Sequence, residues 1–125
     1  MAFSESVVLG RTGLKVGRLG IASGYWQPAA AIEESFERGC NYMEWGTFIK
    51  GYSPHMRTAL RNIAAKGLRD RIVLAVFSYA HQSFLTEHFL TKGLKAARMD
   101  YADVLLLGFF SKPPSRRILD GALKL

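Results

Sequence analysis

Ile72-Val-Leu-Ala-Val-Phe77 and Val104-Leu-Leu-Leu-Gly-Phe-Phe110 are apolar from end to end. A strand on a sheet with one wet face alternates apolar and polar residues. A strand without alternation is buried on both faces, as in a parallel sheet covered by helices. Both runs are far shorter than the ~20 residues that cross a bilayer. They are read as two strands of a parallel sheet, and the rest of the chain is organised around them.

Between the two runs, Ser83 to Arg98 carries Leu85, Phe89, Leu90, Leu94 and Ala97 at helical spacing, so a helix burying those residues is expected there. Before the first run, Ser53-Pro54 combines a hydroxyl cap with a proline suited to a first helical turn. Met56, Leu60, Ile63 and Ala64 then form an apolar stripe that Gly67 ends. Further upstream, Pro28 opens a helix with Ile32, Phe36 and Cys40 on one face, Glu33, Glu34, Glu37 and Arg38 on the other, and Gly39 as its left-handed stop. Strands are read at Arg18 to Ala22 and at Asn41 to Gly46. Val7-Val-Leu9 and Leu14-Lys-Val16 read as a hairpin turning at Gly13. After Lys112-Pro-Pro-Ser115, Ser115 caps a last helix bearing Ile118, Leu119, Ala122 and Leu123. A hairpin followed by about four βα units gives an α/β fold with right-handed crossovers, in one domain over residues 1–125. The pattern fits a small doubly wound sheet or about half of a (β/α)8 barrel, since a whole barrel takes roughly 200 residues or more.

The composition narrows the partners. The formal net charge is +7, yet the basic residues are scattered, and the grouping Arg57, Arg61, Lys66, Arg69, Arg71 has no nucleic-acid-binding motif around it. A solvated outer face is the expectation, with neither nucleic acid nor a membrane as partner. The single cysteine, Cys40, forms no internal disulfide, and no Cys/His cluster suggests a metal site. No secretory pattern opens the chain, so a cytoplasmic location is expected.

Three segments carry a resemblance. Leu9-Gly-Arg-Thr-Gly-Leu-Lys-Val-Gly-Arg-Leu-Gly20 resembles the opening hairpin and first strand of aldo-keto reductases. Ala31-Ile-Glu-Glu-Ser-Phe-Glu-Arg-Gly-Cys-Asn-Tyr42 resembles their first helix and the start of strand two. Leu90-Thr-Lys-Gly-Leu-Lys-Ala-Ala-Arg-Met-Asp-Tyr-Ala-Asp-Val-Leu-Leu-Leu107 resembles helix three and strand four. The resemblance is collinear over nearly the whole chain. It implies the N-terminal half of a (β/α)8 TIM barrel and, for the family, NADPH-dependent carbonyl reduction. In that chemistry a tyrosine is the acid, a lysine lowers its pKa, an aspartate pairs with the lysine and a histidine orients the substrate.

Carried onto this sequence, the family's Phe-Asp-Thr-Ala becomes Met43-Glu-Trp-Gly46, which puts Glu44 at the aspartate position. The tyrosine position falls on Ile49, the lysine on Phe77 and the histidine on Gly108. Ile49, Phe77 and Gly108 have no side-chain group that moves a proton. Tyr52, three residues past the acid position, is a possible substitute; Lys50 and His81 also lie near strand ends, and Tyr25, Trp26 and Trp45 are candidates to line a pocket. The resemblance further implies that the nucleotide clamp follows the seventh and eighth strands, which lie beyond four units, and Gly10, Gly13, Gly17 and Gly20 precede no helix. No cofactor is therefore expected for this chain, with NADPH implied only for a longer form. The expectation is a truncated, aldo-keto reductase-like domain inactive as it stands. The alternatives are a non-catalytic half barrel that self-associates and holds a small ligand at its strand-end loops, or an enzyme using Glu44 and Tyr52 differently. Leu74, Val76, Leu105 and Leu107 are expected on the inward sheet face, where a second copy or a missing C-terminal half would cover them.

Overall fold

The computed structural model describes residues 5–46 and 53–125. Strands β1 (Ser6–Val8) and β2 (Lys15–Gly17) form an antiparallel hairpin with Val7 opposite Val16. Gly10 and Gly13 take positive φ in its turn, at 53° and 77°, where a side chain would be strained. Four further strands, β3 (Gly20–Ala22), β4 (Tyr42–Gly46), β5 (Val73–Ser78) and β6 (Val104–Leu107), make a parallel sheet in chain order. Helices α1 (Ala29–Glu37), α2 (Pro54–Ala65) and α3 (Ser83–Ala97) connect them, and α4 (Arg116–Ala122) follows β6. The alternation of buried strands with helices read from the sequence is the observed architecture.

Local chemistry sets the boundaries. Ser53 Oγ accepts from the Met56 N–H at 3.3 Å, capping α2 ahead of Pro54. Pro28 stands one place outside α1, as its cap residue, and Gly39 leaves the helix at φ 100°. Cys40 therefore lies past the end of α1, half-buried, instead of on its face. Met56, Leu60 and Ile63 of α2 are buried together with Ile32 and Phe36 of α1.

The side of the sheet on which this core sits corrects one expectation. Leu74 and Val76 belong to the helix-side core, with Met43, Trp45 and Ile21. The register explains why: Met43 lies beside Leu74, and Trp45 beside Val76, which lies beside Leu105. The inward face instead carries Tyr42, Glu44 and Gly46 of β4, Val73, Ala75 and Phe77 of β5, and Val104 and Leu106 of β6. An apolar run carries no parity of its own, so only pairing with the alternating β4 fixes which side each residue takes.

Helix α3 buries Ala97 as expected, and Leu90 and Leu94 pack half-buried against the core, but its other fully buried positions are Thr86 and Gly93, while Leu85 and Phe89 are half-buried. Thr86 tolerates burial because its hydroxyl lies 3.2 Å from Ser78 Oγ on β5. Strand β6 stops at Leu107 and does not reach Phe110; Phe109 leaves the strand direction at φ 58°. Ser115 occupies the cap position of α4 without a side-chain bond to the helix, and Leu119 and Leu123 are exposed. This short helix packs on α3, where Gly121 crosses Ser83 too closely for a side chain, and it buries little of its apolar face.

The lower end of the sheet is tied by Asn41. Its Oδ1 accepts from Gly17 N–H at 2.8 Å, and its Nδ2 donates to Lys15 O and Arg71 O, both at 3.0 Å. One side chain thus joins the hairpin, β4 and the turn before β5. Beside it, Arg69 meets Asp103 at 3.0 Å and lies on the Tyr101 ring, and Asp103 also accepts from Leu74 N–H. Lys66 pairs with Glu33 and Glu37, and Arg71 lies over Phe36. Lys66, Arg69 and Arg71 of the basic grouping read around α2 are thereby divided among separate partners.

Candidate functional site

In barrels and open α/β sheets, ligands bind at the carboxyl ends of the strands. Here that end gathers Glu44 and Gly46 from β4, Phe77 and then Tyr79 from β5, and Gly108 and Phe109 after β6. Ile49, Lys50 and Tyr52 lie outside the described residues.

Two glycines decide the shape of this end. An ideal Cβ built on Gly108 falls on Cε1 and Cζ of Phe77 and within 3.0 Å of its Cδ1. The Phe77 ring therefore occupies the volume that any side chain at 108 would need. The Phe77 ring stacks on Tyr79 at 4.5 Å between centroids, and Tyr79 stacks on Phe109 at 4.9 Å. Phe109 is 73% exposed, so the outermost ring of the stack faces water.

Gly46 plays a similar part for Glu44. A Cβ there would stand 3.1 Å from Glu44 Oε1 and 3.7 Å from both Phe77 Cβ and the Tyr79 hydroxyl. The longer Glu44 side chain thus leans over the position where Gly46 has none. Burial raises the Glu44 pKa, and the Ser23 backbone N–H, acting on the carboxylate, works in the opposite direction. Burial also raises the Tyr42 phenol, with the Glu44 charge adding to it. Ser23 is itself buried, and its Oγ accepts from Gly46 N–H at 3.2 Å, which fixes the turn after β3 against β4.

The other candidates are spread along the rim. Tyr25 is fully out in solvent; Trp26, at φ 55°, sets its ring edge-on to His55 with centroids 6.4 Å apart. His81 stacks on Phe110 at 4.1 Å. Trp45, read as a possible pocket residue, points to the opposite side and is part of the helix-side core. Tyr79 was not among the residues the sequence singled out. Its signal is its spacing, two residues beyond Phe77 on a chain that keeps its strand-like alternation.

Among the described residues no group of three or more His, Cys, Asp or Glu is placed to hold a metal ion. None of their helices is long and apolar enough to cross a membrane.

No protein-family model matches this chain, and no curated protein matches it. Solved structures do. An aldo-keto reductase from Bacillus halodurans in its holo form superposes with a TM-score of 0.74 at 19% identity, over 96% of this chain and 43% of that one. The four-stranded sheet and its helices match part of an aldo-keto reductase barrel. The aldo-keto reductase of the silkworm Bombyx mori gives 0.73 at 15% identity, over 96% and 44%. An NADPH-bound aldo-keto reductase from Klebsiella pneumoniae gives 0.69 at 20% identity, over 90% and 42%. The chain spans less than half the length of these aldo-keto reductase structures.

Phosphates are held by N–H donors at helix starts or by cations. Among the described residues, this end presents a carboxyl, a phenol and stacked rings.

Proposed function

We propose that this chain is an aldo-keto reductase-like domain, the N-terminal half of a barrel, that does not itself carry out NADPH-dependent carbonyl reduction. The observation that carries the reading is the Phe77 ring filling the space above Gly108. Phe77 and Gly108 correspond to the lysine and histidine of the family tetrad, and neither offers a group that tunes or orients a proton donor. The packing of ring against glycine also leaves no room for a side chain at 108 while the Phe77 ring is in place. The coupling between Glu44 and Gly46 has the same form, which supports a site end rebuilt around new volumes over one that has only lost groups. A cytoplasmic location belongs to this reading, supported by the lone Cys40, which can form no internal disulfide.

The test is a fluorescence titration of the chain with NADPH, followed by turnover assays with aromatic aldehydes. No saturable signal and no oxidation of NADPH are expected. Saturable binding at micromolar concentration, or turnover abolished by Glu44→Gln, would overturn the proposal.

A second reading is assembly. Among the described residues, strands β3 and β6 each pair on one side only, leaving one row of N–H and C=O groups at each edge of the sheet. A second copy, or a C-terminal half barrel, is the partner that these edges suit. Light scattering on the 125-residue chain distinguishes the cases: a cooperatively folding monomer is incompatible with self-association.

A further inference from the structure

At the amino ends of the strands, between the hairpin and the sheet, the protein encloses a cavity of about 420 Å³, a size common for small-molecule sites. The hairpin, the chain leaving α1 and the turn into β5 line it. Leu14, Phe36, Ile72 and Val73 supply its apolar wall. Four charged residues border it: Lys15, Asp70, Arg71 and Asp103.

The two carboxylates are already engaged. Asp103 Oδ2 accepts from Arg69 at 3.0 Å and from Leu74 N–H at 2.8 Å, and Asp70 Oδ1 accepts from the Tyr101 hydroxyl at 3.3 Å. The two cations are not. Among the described residues no carboxylate pairs with Lys15 or Arg71. The Arg71 guanidinium lies over the Phe36 ring, 5.3 Å from its centroid, a contact that leaves its N–H groups free to donate. The end of α1 does not need either cation, because the carbonyls of Glu34, Ser35 and Phe36 already accept from the N–H groups of Arg38, Cys40 and Gly39.

Asn41 holds the two cationic residues side by side. Its Nδ2 donates to both Lys15 O and Arg71 O, so their backbones are anchored on one amide. Leu14 O accepts from Leu9 N–H across the hairpin, so Lys15, one residue on, turns its N–H as well as its carbonyl away from β1. Two unpaired cations and an outward N–H beside an apolar wall are complementary to an anion with an apolar body.

We propose that this cavity binds a small organic acid, its carboxylate held by Arg71 and Lys15 and its apolar body lying against Leu14 and Val73. No bond is made or broken. The inference goes beyond the loss of carbonyl reduction and does not depend on it, since the cavity lies at the opposite end of the sheet from Glu44, Phe77 and Gly108.

The experiment is calorimetric titration of the whole chain with sodium 3-phenylpropionate, with 3-phenylpropionamide as the neutral isostere. Both cations are exposed, so the acid is expected to bind saturably and about fivefold more tightly than the amide at low salt, a modest preference. Raising the salt from about 0.02 M to about 0.5 M is expected to erase most of that preference. Arg71→Met is expected to remove it, and Lys15→Met to reduce it about twofold. Equal binding of acid and amide at low salt, undiminished binding of the acid to Arg71→Met, or no saturation by the acid at concentrations on the order of 10 mM overturns the proposal. If circular dichroism shows that Arg71→Met does not fold, the comparison of acid with amide on the unaltered chain and the Lys15→Met variant decide it. NADPH binding or turnover bears on the proposed function alone and leaves this result unaffected.

Discussion

Replacing Gly108 with alanine puts a methyl group onto the edge of the Phe77 ring. At a glycine with ordinary backbone angles, alanine stabilises by about 0.4–1 kcal/mol through the unfolded chain. Gly108 is not among the positive-φ glycines, so that gain applies here. Opposing it is an overlap with Cε1 and Cζ that no small adjustment relieves. The ring must leave its rotamer or β6 must shift from β5, at about 1–3 kcal/mol. Moving the ring also disturbs its stack on Tyr79, which contributes about 0.5–1.5 kcal/mol. The net expectation for Gly108→Ala is a loss of about 1–3 kcal/mol, read as a lowered urea midpoint with an unchanged slope. The decisive measurement is the double-mutant cycle with Phe77→Leu, whose shorter side chain lacks the two overlapping atoms. In that background the alanine is expected to cost less than about 0.5 kcal/mol, giving a coupling of about 1–2 kcal/mol. A neutral or stabilising Gly108→Ala, or an equal cost in both backgrounds, would refute the assignment of the Phe77 ring to that volume.

Two further outcomes follow from the site and from the tie beneath it. Asn41→Ala removes the acceptor of Gly17 N–H and the donor to two carbonyls, for an expected loss of about 2–3 kcal/mol by urea unfolding; a change below about 0.5 kcal/mol would mean that water replaces these bonds without cost. Because burial raises the Glu44 pKa above its ordinary 4.5, the folded state keeps this proton to higher pH than the unfolded chain does. Stability from this group is therefore present at low pH and is lost as pH rises from the ordinary carboxylate value through the raised one. Glu44→Gln is expected to gain stability relative to the unaltered chain across that window, and a flat or falling difference in unfolding midpoints would contradict the burial of the carboxyl.

Much of the architecture is legible in local chemistry. Ser53-Pro54 fixes the start of α2 because a cap and a first-turn proline act within one turn. Gly39 ends α1 for a similarly local reason, and the unbroken apolar run of β5 announces a strand covered on both faces. What escapes local reading is which of those two faces is which. Val73 to Phe77 is apolar at every position, and only the neighbouring Tyr42-Met-Glu-Trp45 alternation assigns Leu74 and Val76 to the helices. Thr86 and Gly93 on the buried line of α3 are likewise invisible to a search for large apolar residues, since one is satisfied by a hydroxyl on β5 and the other is small. At the site, the resemblance locates Glu44, Phe77 and Gly108, but not their mutual fit. That fit joins positions on different strands and depends on volumes, which no spacing rule encodes. Tyr79 becomes notable only when its hydroxyl is seen beside Gly46 and its ring in the stack between Phe77 and Phe109.

The nesting of Phe77 against Gly108 constrains how this region can change over generations. A bulkier residue introduced at 108 alone collides with the ring, whereas trimming the ring alone hollows out the strand ends. Either single step costs stability that only the second restores, so the two positions are expected to mutate in concert or remain locked, a barrier of the kind that keeps lineages from retracing their path.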